Sequence, residues 1–174
     1  YRIVVPAVSG IATLPLVFGG DGNFLGSLRG DSTPPGSFSG PMFVRLGAGD
    51  SIWVFDNSAR VLIFDRQRQY VRTAQLPNVA SDAIVLGDSR IIATGDSIGV
   101  AQLLDAHGVL VRTIGAHDAT GSTLDRVRAV LLAPDGTFWT TTVFHRWHLE
   151  HWDTTGARLG TLELRPSWFP AGTG

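Results

Sequence analysis

Three histidines recur at intervals of three in His145-Arg146-Trp147-His148-Leu149-Glu150-His151, and imidazole is a common zinc ligand. On a helix they would share one face and could hold an ion together. On a strand His148 faces away from His145 and His151, and those two stand about 20 Å apart at roughly 3.3 Å per residue, too far to share a metal. The remaining chemistry-bearing residues are few. Only two glutamates occur, Glu150 and Glu163, and there is no cysteine, which removes thiolate metal sites, cysteine nucleophiles and disulfides together. All fourteen basic residues are arginine, so no phosphate loop with its lysine can be built, and no Gly-x-Ser-x-Gly elbow is present. Arg29-Gly30-Asp31 spells an integrin-binding tripeptide, but three letters arise cheaply by chance and these end a strand.

The elements that must position these residues belong to a folded domain: 44% of the 174 residues are apolar and 17% charged. A net charge of -1, with arginines spread along the chain, gives no electrostatic footprint for nucleic acid or an anionic membrane. No apolar run reaches the roughly 20 residues that a spanning helix needs. The chain opens at Tyr1 directly in a strand-like stretch, which reads as a fragment of a longer polypeptide.

An internal repeat sets the fold. Gly47-Ala-Gly-Asp-Ser-Ile-Trp-Val-Phe55 has counterparts in Leu86-Gly-Asp-Ser-Arg-Ile-Ile-Ala-Thr94 and Leu132-Ala-Pro-Asp-Gly-Thr-Phe-Trp-Thr140, each a tight turn followed by an apolar strand. A second element runs from Ile63-Phe64-Asp65 to Tyr70-Val71-Arg72-Thr73. It returns as Leu103-Leu104-Asp105 to Leu110-Val111-Arg112-Thr113 and as His151-Trp152-Asp153 to Arg158-Leu159-Gly160-Thr161. An earlier copy is Val17-Phe18-Gly19 to Phe24-Leu25-Gly26-Ser27. The aspartates lie 105 - 65 = 40 and 153 - 105 = 48 residues apart, the period of a propeller blade.

Within one period the pattern predicts four short strands, at 42–46, 52–55, 61–64 and 70–76, and no stretch carries a sustained helical period. Ile52 to Phe55 and Val61 to Phe64 are apolar on both faces, as a sheet stacked between two neighbours must be. Arg72 and Arg112 interrupt the fourth strand, as suits an outer edge. Gly22, Gly108 and Gly156 share one offset in the turn before that strand, where positive φ is wanted; Arg68 stands there in the second copy, implying either another turn geometry or a strained residue. The expected fold is all-β: a β-propeller of four-stranded antiparallel blades at about 2–29 (partial), 40–77, 79–118 and 126–165, too few to close a ring. The absent blades would come from more chain or from a second copy. Asp21, Asp50, Asp65, Asp88, Asp105, Asp135 and Asp153 fall at hairpins, where a short carboxylate bonds nearby backbone N–H groups. Trp53 and Trp139 occupy equivalent strand positions and are expected to pack between blades, whereas Trp147, Trp152, Trp168 and Phe169 are expected at a seam where a further blade docks.

The connection Gly30-Asp31-Ser32-Thr33-Pro34-Pro35-Gly36-Ser37-Phe38-Ser39-Gly40-Pro41, followed by Gly-Asp-Ser and Phe-Asp strands, resembles that of bacterial six-bladed, NHL-like β-propeller proteins. Thr33 and Pro34 depart from the glycines frequent there. The resemblance implies a six-bladed ring, an extracytoplasmic protein, and ligand contacts from loops on one end of the ring. Those loops carry Asp56, Asn57, Asp96, His145 and Arg146 where the second strand turns into the third, and Asp82, His117 and Asp118 where one blade passes to the next. The function it implies is a non-catalytic recognition or scaffold module for a protein, peptide or carbohydrate, without a cofactor. The alternative is a metal-dependent lactonase or lyase holding Ca or Zn in the central channel.

Overall fold

Short runs of Val, Ile, Leu, Phe and Trp, each closed by Gly, Asp or Asn turns, form fifteen strands among the described residues of the computed structural model. The structure describes residues 3–5, 14–29, 36–95, 99–116, 127–142 and 147–164. The first sheet has three strands, β1 (Ile3–Val5), β2 (Leu16–Phe18) and β3 (Phe24–Ser27). The second is β4 (Pro41–Leu46), β5 (Ile52–Asp56), β6 (Arg60–Phe64) and β7 (Tyr70–Gln75). The third is β8 (Ala80–Val85), β9 (Ile91–Gly95), β10 (Ala101–Leu104) and β11 (Leu110–Ile114). The fourth is β12 (Arg128–Leu132), β13 (Phe138–Thr142), β14 (Trp147–Trp152) and β15 (Arg158–Leu164).

Every sheet is an antiparallel meander in chain order. The first strand of each full sheet is innermost, with β8 beside both β4 and β12. One 3-10 turn, Ala48–Asp50, is the only helical element among the described residues.

Strand alternation sends opposite faces of a sheet to opposite neighbours. From the second sheet, Ile52, Val54, Leu62 and Phe64 join Val17 and Leu28 of the first sheet and its exit. The other face, Trp53, Phe55, Val61 and Ile63, packs on Val85 and Ile91 of the third. The third sheet in turn meets the fourth through Ile92, Leu103, Ile114, Val130, Phe138 and Trp152. Trp53 is 2% exposed, as expected for a residue between sheets. Trp152 is 6% exposed, which corrects its placement at an open seam: it pairs with Phe138 and points back toward the third sheet. Trp168 and Phe169 lie outside the described residues, as does the side chain of Trp147.

The turn before each outer strand is the same in all four sheets. The amide at its fourth position donates to the carbonyl three residues back: Gly22 to Gly19, Arg68 to Asp65, Gly108 to Asp105 and Gly156 to Asp153. Arg68 therefore uses the geometry of its glycine counterparts and holds φ at 69°, so of the two alternatives the strained residue is found. A bulge follows at one register position in every outer strand, and the extra residue is aliphatic and about half exposed: Leu25 45%, Val71 55%, Val111 56% and Leu159 52%.

Outer-strand arginines also tie the sheets together. Arg72 donates to the Ala106 carbonyl at 2.6 Å and Arg112 to that of Thr155, each in the outer turn of the next sheet. Between the first two sheets the direction reverses, with Arg68 donating to the Leu25 carbonyl at 2.8 Å.

Ser89 sits at φ 67° in the β8–β9 turn, where a side chain costs about 1 kcal/mol against glycine. Ser89→Gly is expected to raise stability by about 0.5–1 kcal/mol. By contrast Gly108, at φ 86°, would place a Cβ 2.2 Å from the Gln75 carbonyl oxygen, whereas at Gly22 nothing lies within 4 Å. Gly108→Ala should therefore cost about 2–4 kcal/mol and Gly22→Ala about 1. Urea unfolding of the three variants checks this ordering.

Candidate functional site

In a meander the turn from second to third strand and the connection to the next sheet lie at one end, and the other two turns at the opposite end. The first is the loop end. Asp56, the last residue of β5, is 2% exposed. Its Oδ2 accepts the amides of Ser39 at 2.7 Å and Gly40 at 3.2 Å, and its Oδ1 accepts the Ser58 amide at 2.9 Å and hydroxyl at 2.5 Å. Arg60 closes the node, reaching the Ser37 carbonyl at 3.0 Å and Ser39 Oγ at 2.8 Å. One carboxylate thus locks the incoming connection onto the β5–β6 turn. Burial acts on Asp56 most strongly and would raise its pKa, but the bonds from Ser58, Ser39 and Gly40 together outweigh it and hold the carboxyl below its ordinary value.

Asn57 is exposed beside this node, its amide nitrogen donating to the Gly40 carbonyl from the backbone at 2.9 Å and its side chain lying over the Gly40 Cα. Asp82 lies within β8 rather than in the preceding connection, which corrects its expected placement. A bulge between Ala80 and Asp82 turns it sideways along the arc. There Oδ1 pairs with Arg45 of β4 and accepts the Ala83 amide at 2.8 Å, while Oδ2 accepts the Val130 amide of β12 at 2.9 Å. Arg45 is itself filled, donating to the Ala83 carbonyl at 2.7 Å and to that of Val44 at 2.8 Å. Asp82 is thus the joint between three innermost strands. Asp96, His117, Asp118, His145 and Arg146 lie outside the described residues.

Two further features of this end were not legible as sites. A shallow cleft of about 10 Å³, open to solvent, is lined by Leu76, Asn78, Val79, Thr94, Gly95 and Gln102 among others. Nothing in the sequence marks it, because it is formed by a connection crossing the next sheet. In the junction between third and fourth sheets, Arg128 and Glu150 pair at 2.6 Å with both side chains about nine-tenths buried. His148 and Arg158 each stand 3.6 Å from the other oxygen of Glu150. The strand period of charge and apolarity in 147–152 could have flagged that inward glutamate.

The histidine cluster is dispersed by its strand. His148 faces Glu150, while His151 points to the opposite face, stacked on Trp139 with ring centres 4.3 Å apart and bonded to Thr137 Oγ1 at 2.6 Å. Trp139 lies half-buried on the outward face of the fourth sheet, and no described sheet packs over it. No group of three or more His, Asp or Glu among the described residues is placed to hold a metal ion.

At the turn end the hairpin aspartates do as expected. Asp21, Asp65, Asp88, Asp105, Asp135 and Asp153 each accept a backbone N–H two to four residues on, at 2.8 to 3.1 Å. Asp50 differs, standing in the 3-10 turn at φ 60°. The Val109 amide holds the Asp105 carboxyl below its ordinary value, and the Thr137 and Thr155 hydroxyls do the same for Asp135 and Asp153.

No family model matches the chain, and no curated protein matches it. Solved structures do. The chain is similar to the structure of U3-55K, with a TM-score of 0.67 and 16% identity over 93% of this chain and 48% of that one. It is similar to the WD40 repeats of RRP9, with a TM-score of 0.64 and 16% identity over 91% and 46%. A chain of the mitotic checkpoint complex gives a TM-score of 0.60 at 15% identity over 86% and 44%. The chain spans less than half the length of each of these three, and at such identities the likeness speaks to fold. The fold is a partial set of β-propeller blades.

Every lowered carboxyl named here binds fewer protons folded than unfolded, so its contribution is complete above the unfolded value near about 3.9 and is lost as pH falls through the folded value. Stability should be level above about pH 5 and decline below about pH 4. Asp56→Ala breaks three part-buried hydrogen bonds from backbone amides and is expected to cost about 2–4 kcal/mol at pH 7; Asp56→Asn should cost less and flatten the acid decline. Urea midpoints from pH 3 to 7 test both statements.

Proposed function

We propose that the chain is part of a non-catalytic recognition scaffold that binds a protein or peptide at the loop end of its sheets. The supporting observation is the division of labour at that end. The described acids there, Asp56 and Asp82, spend their oxygens on holding connections and strands in place. Beside them neutral side chains are left to solvent: Asn57, Asn78 and Val79, the last 41% exposed, the latter two lining the cleft. Rigid loops that present amide and aliphatic groups suit an extended peptide, whose backbone offers N–H and C=O partners and whose side chains offer apolar area. The likeness to WD40-type propellers supports the same reading by analogy of fold. The wider form of the proposal is a six-bladed ring of an exported bacterial protein, with carbohydrate as the other ligand class.

Panning a random peptide library over the folded chain tests this. Selected peptides should lose at least tenfold in affinity on Asn57→Arg or Asn78→Arg and keep it on Asn23→Arg or His107→Arg, which lie at the turn end. Peptides indifferent to the loop-end variants would sink the proposal. A melting temperature that rises with added calcium or zinc would favour the hydrolase or lyase alternative instead.

A further inference from the structure

Each junction between sheets carries one arginine and one glycine at two fixed positions. The first position is the outer-strand residue paired with the penultimate residue of the strand before it: Gly26, Arg72, Arg112 and Gly160 in the four sheets. The second is the fourth position of the outer turn, Gly22, Arg68, Gly108 and Gly156. Reading outward across a junction, Gly26 meets Arg68, Arg72 meets Gly108, and Arg112 meets Gly156. The guanidinium always donates to a backbone carbonyl across the junction. Only at the second junction is the glycine sterically required: a Cβ on Gly108 would strike the Gln75 carbonyl oxygen at 2.2 Å, whereas one on Gly156 would make an ordinary contact with Arg112 Cδ at 3.5 Å and one on Gly26 would meet nothing within 4 Å. The same rule accounts for Arg68 at φ 69°, since the sheet before it offers only a glycine.

The outward face of the fourth sheet continues this series without a described neighbour. Trp139 and His151 occupy the register positions of Trp53 and Ile63, which the third sheet covers. Leu162 beside them is 47% exposed and Leu131 69%. The first junction position here is Gly160.

We propose that this face is covered by a further antiparallel sheet whose outer turn carries an arginine at the positive-φ position, donating to the Leu159 carbonyl as Arg68 donates to that of Leu25. A second copy of this chain does not fit: its leading sheet brings Gly22 to that position, leaving glycine against glycine and no clasp. The inference rests on the reading of the chain as part of a larger ring, but its readout is independent of any ligand, so it can fail while peptide binding stands.

Gly160→Arg in the full-length polypeptide gives a result whose sign decides. A Cβ at Gly160 meets nothing within 4 Å, so the fourth sheet itself tolerates the change, which far-UV circular dichroism verifies. With an arginine already in the facing turn, two guanidinium groups compete for one gap and the unfolding midpoint falls by about 2–4 °C. A rise, a shift to dimers by light scattering, or no change would overturn the proposal, because the facing turn would then hold glycine or be absent. The chain has no cysteine, so Leu159→Cys carrying a photoreactive label reports the neighbour directly. The expected cross-linked peptide is an arginine-bearing turn from outside residues 1–174; a cross-link to 14–29 of a second copy or to 165–174, or none, would count against it.

Discussion

Everything in this molecule depends on sheets that are apolar on both faces. Ile52, Trp53, Val54 and Phe55 are consecutive and all at most 2% exposed, which a strand achieves only when each face of its sheet lies against something dry. At roughly 1.5–3 kcal/mol for each large side chain buried, four such residues supply on the order of 6–12 kcal/mol before conformational entropy is set against them. A lone blade would leave both faces, and so most of that, in water. Stacking is therefore the condition under which the repeat folds at all, and a radial stack of twisted sheets is the arrangement this fold adopts.

Dispersion and burial favour contact between sheets without fixing how far one sheet slides along or rotates on the next. Polar links supply that register. At the inner edge Asp82 accepts from Arg45 on one side and from the Val130 amide on the other, so three strands are keyed by one carboxylate. At the outer edge the arginine clasps key neighbouring sheets through backbone carbonyls, which are fixed by the fold rather than by rotamer. The loop end inherits this order: Asp56 can hold the 37–40 connection against the 57–60 turn only because both sheets beneath are already in register.

The repeat was fully legible in the sequence because it is a local property: apolar runs of strand length, Asp-containing turns, and a recurrence of Asp65, Asp105 and Asp153 at blade-length spacings. Turn chemistry was legible for the same reason, since an aspartate that bonds an amide two residues on needs no knowledge of the rest of the chain. What failed depended on side-chain direction. Trp152 lies near the end of the chain and was expected at its edge. Its pairing with Phe138 instead of Trp139 places it on the inward face. The candidate site was legible only in part, since Asp56 and Asp82 are polar residues at the predicted end, yet their partners lie up to 48 residues away in sequence and turn both into scaffold.

Polar groups near a presumed binding end are therefore poor evidence of a site until their hydrogen bonds are counted. A carboxylate with four donors has no capacity left for a ligand, and exposing it would cost the scaffold more than a typical contact returns. Neutral amides and aliphatic groups such as Asn78 and Val79 carry no such commitment, and they can exchange water for a partner without disturbing the sheets below. Here the charged nodes Asp56 and Asp82 and the neutral side chains Asn78 and Val79 are separate sets of residues, and only the first holds the sheets and connections in register.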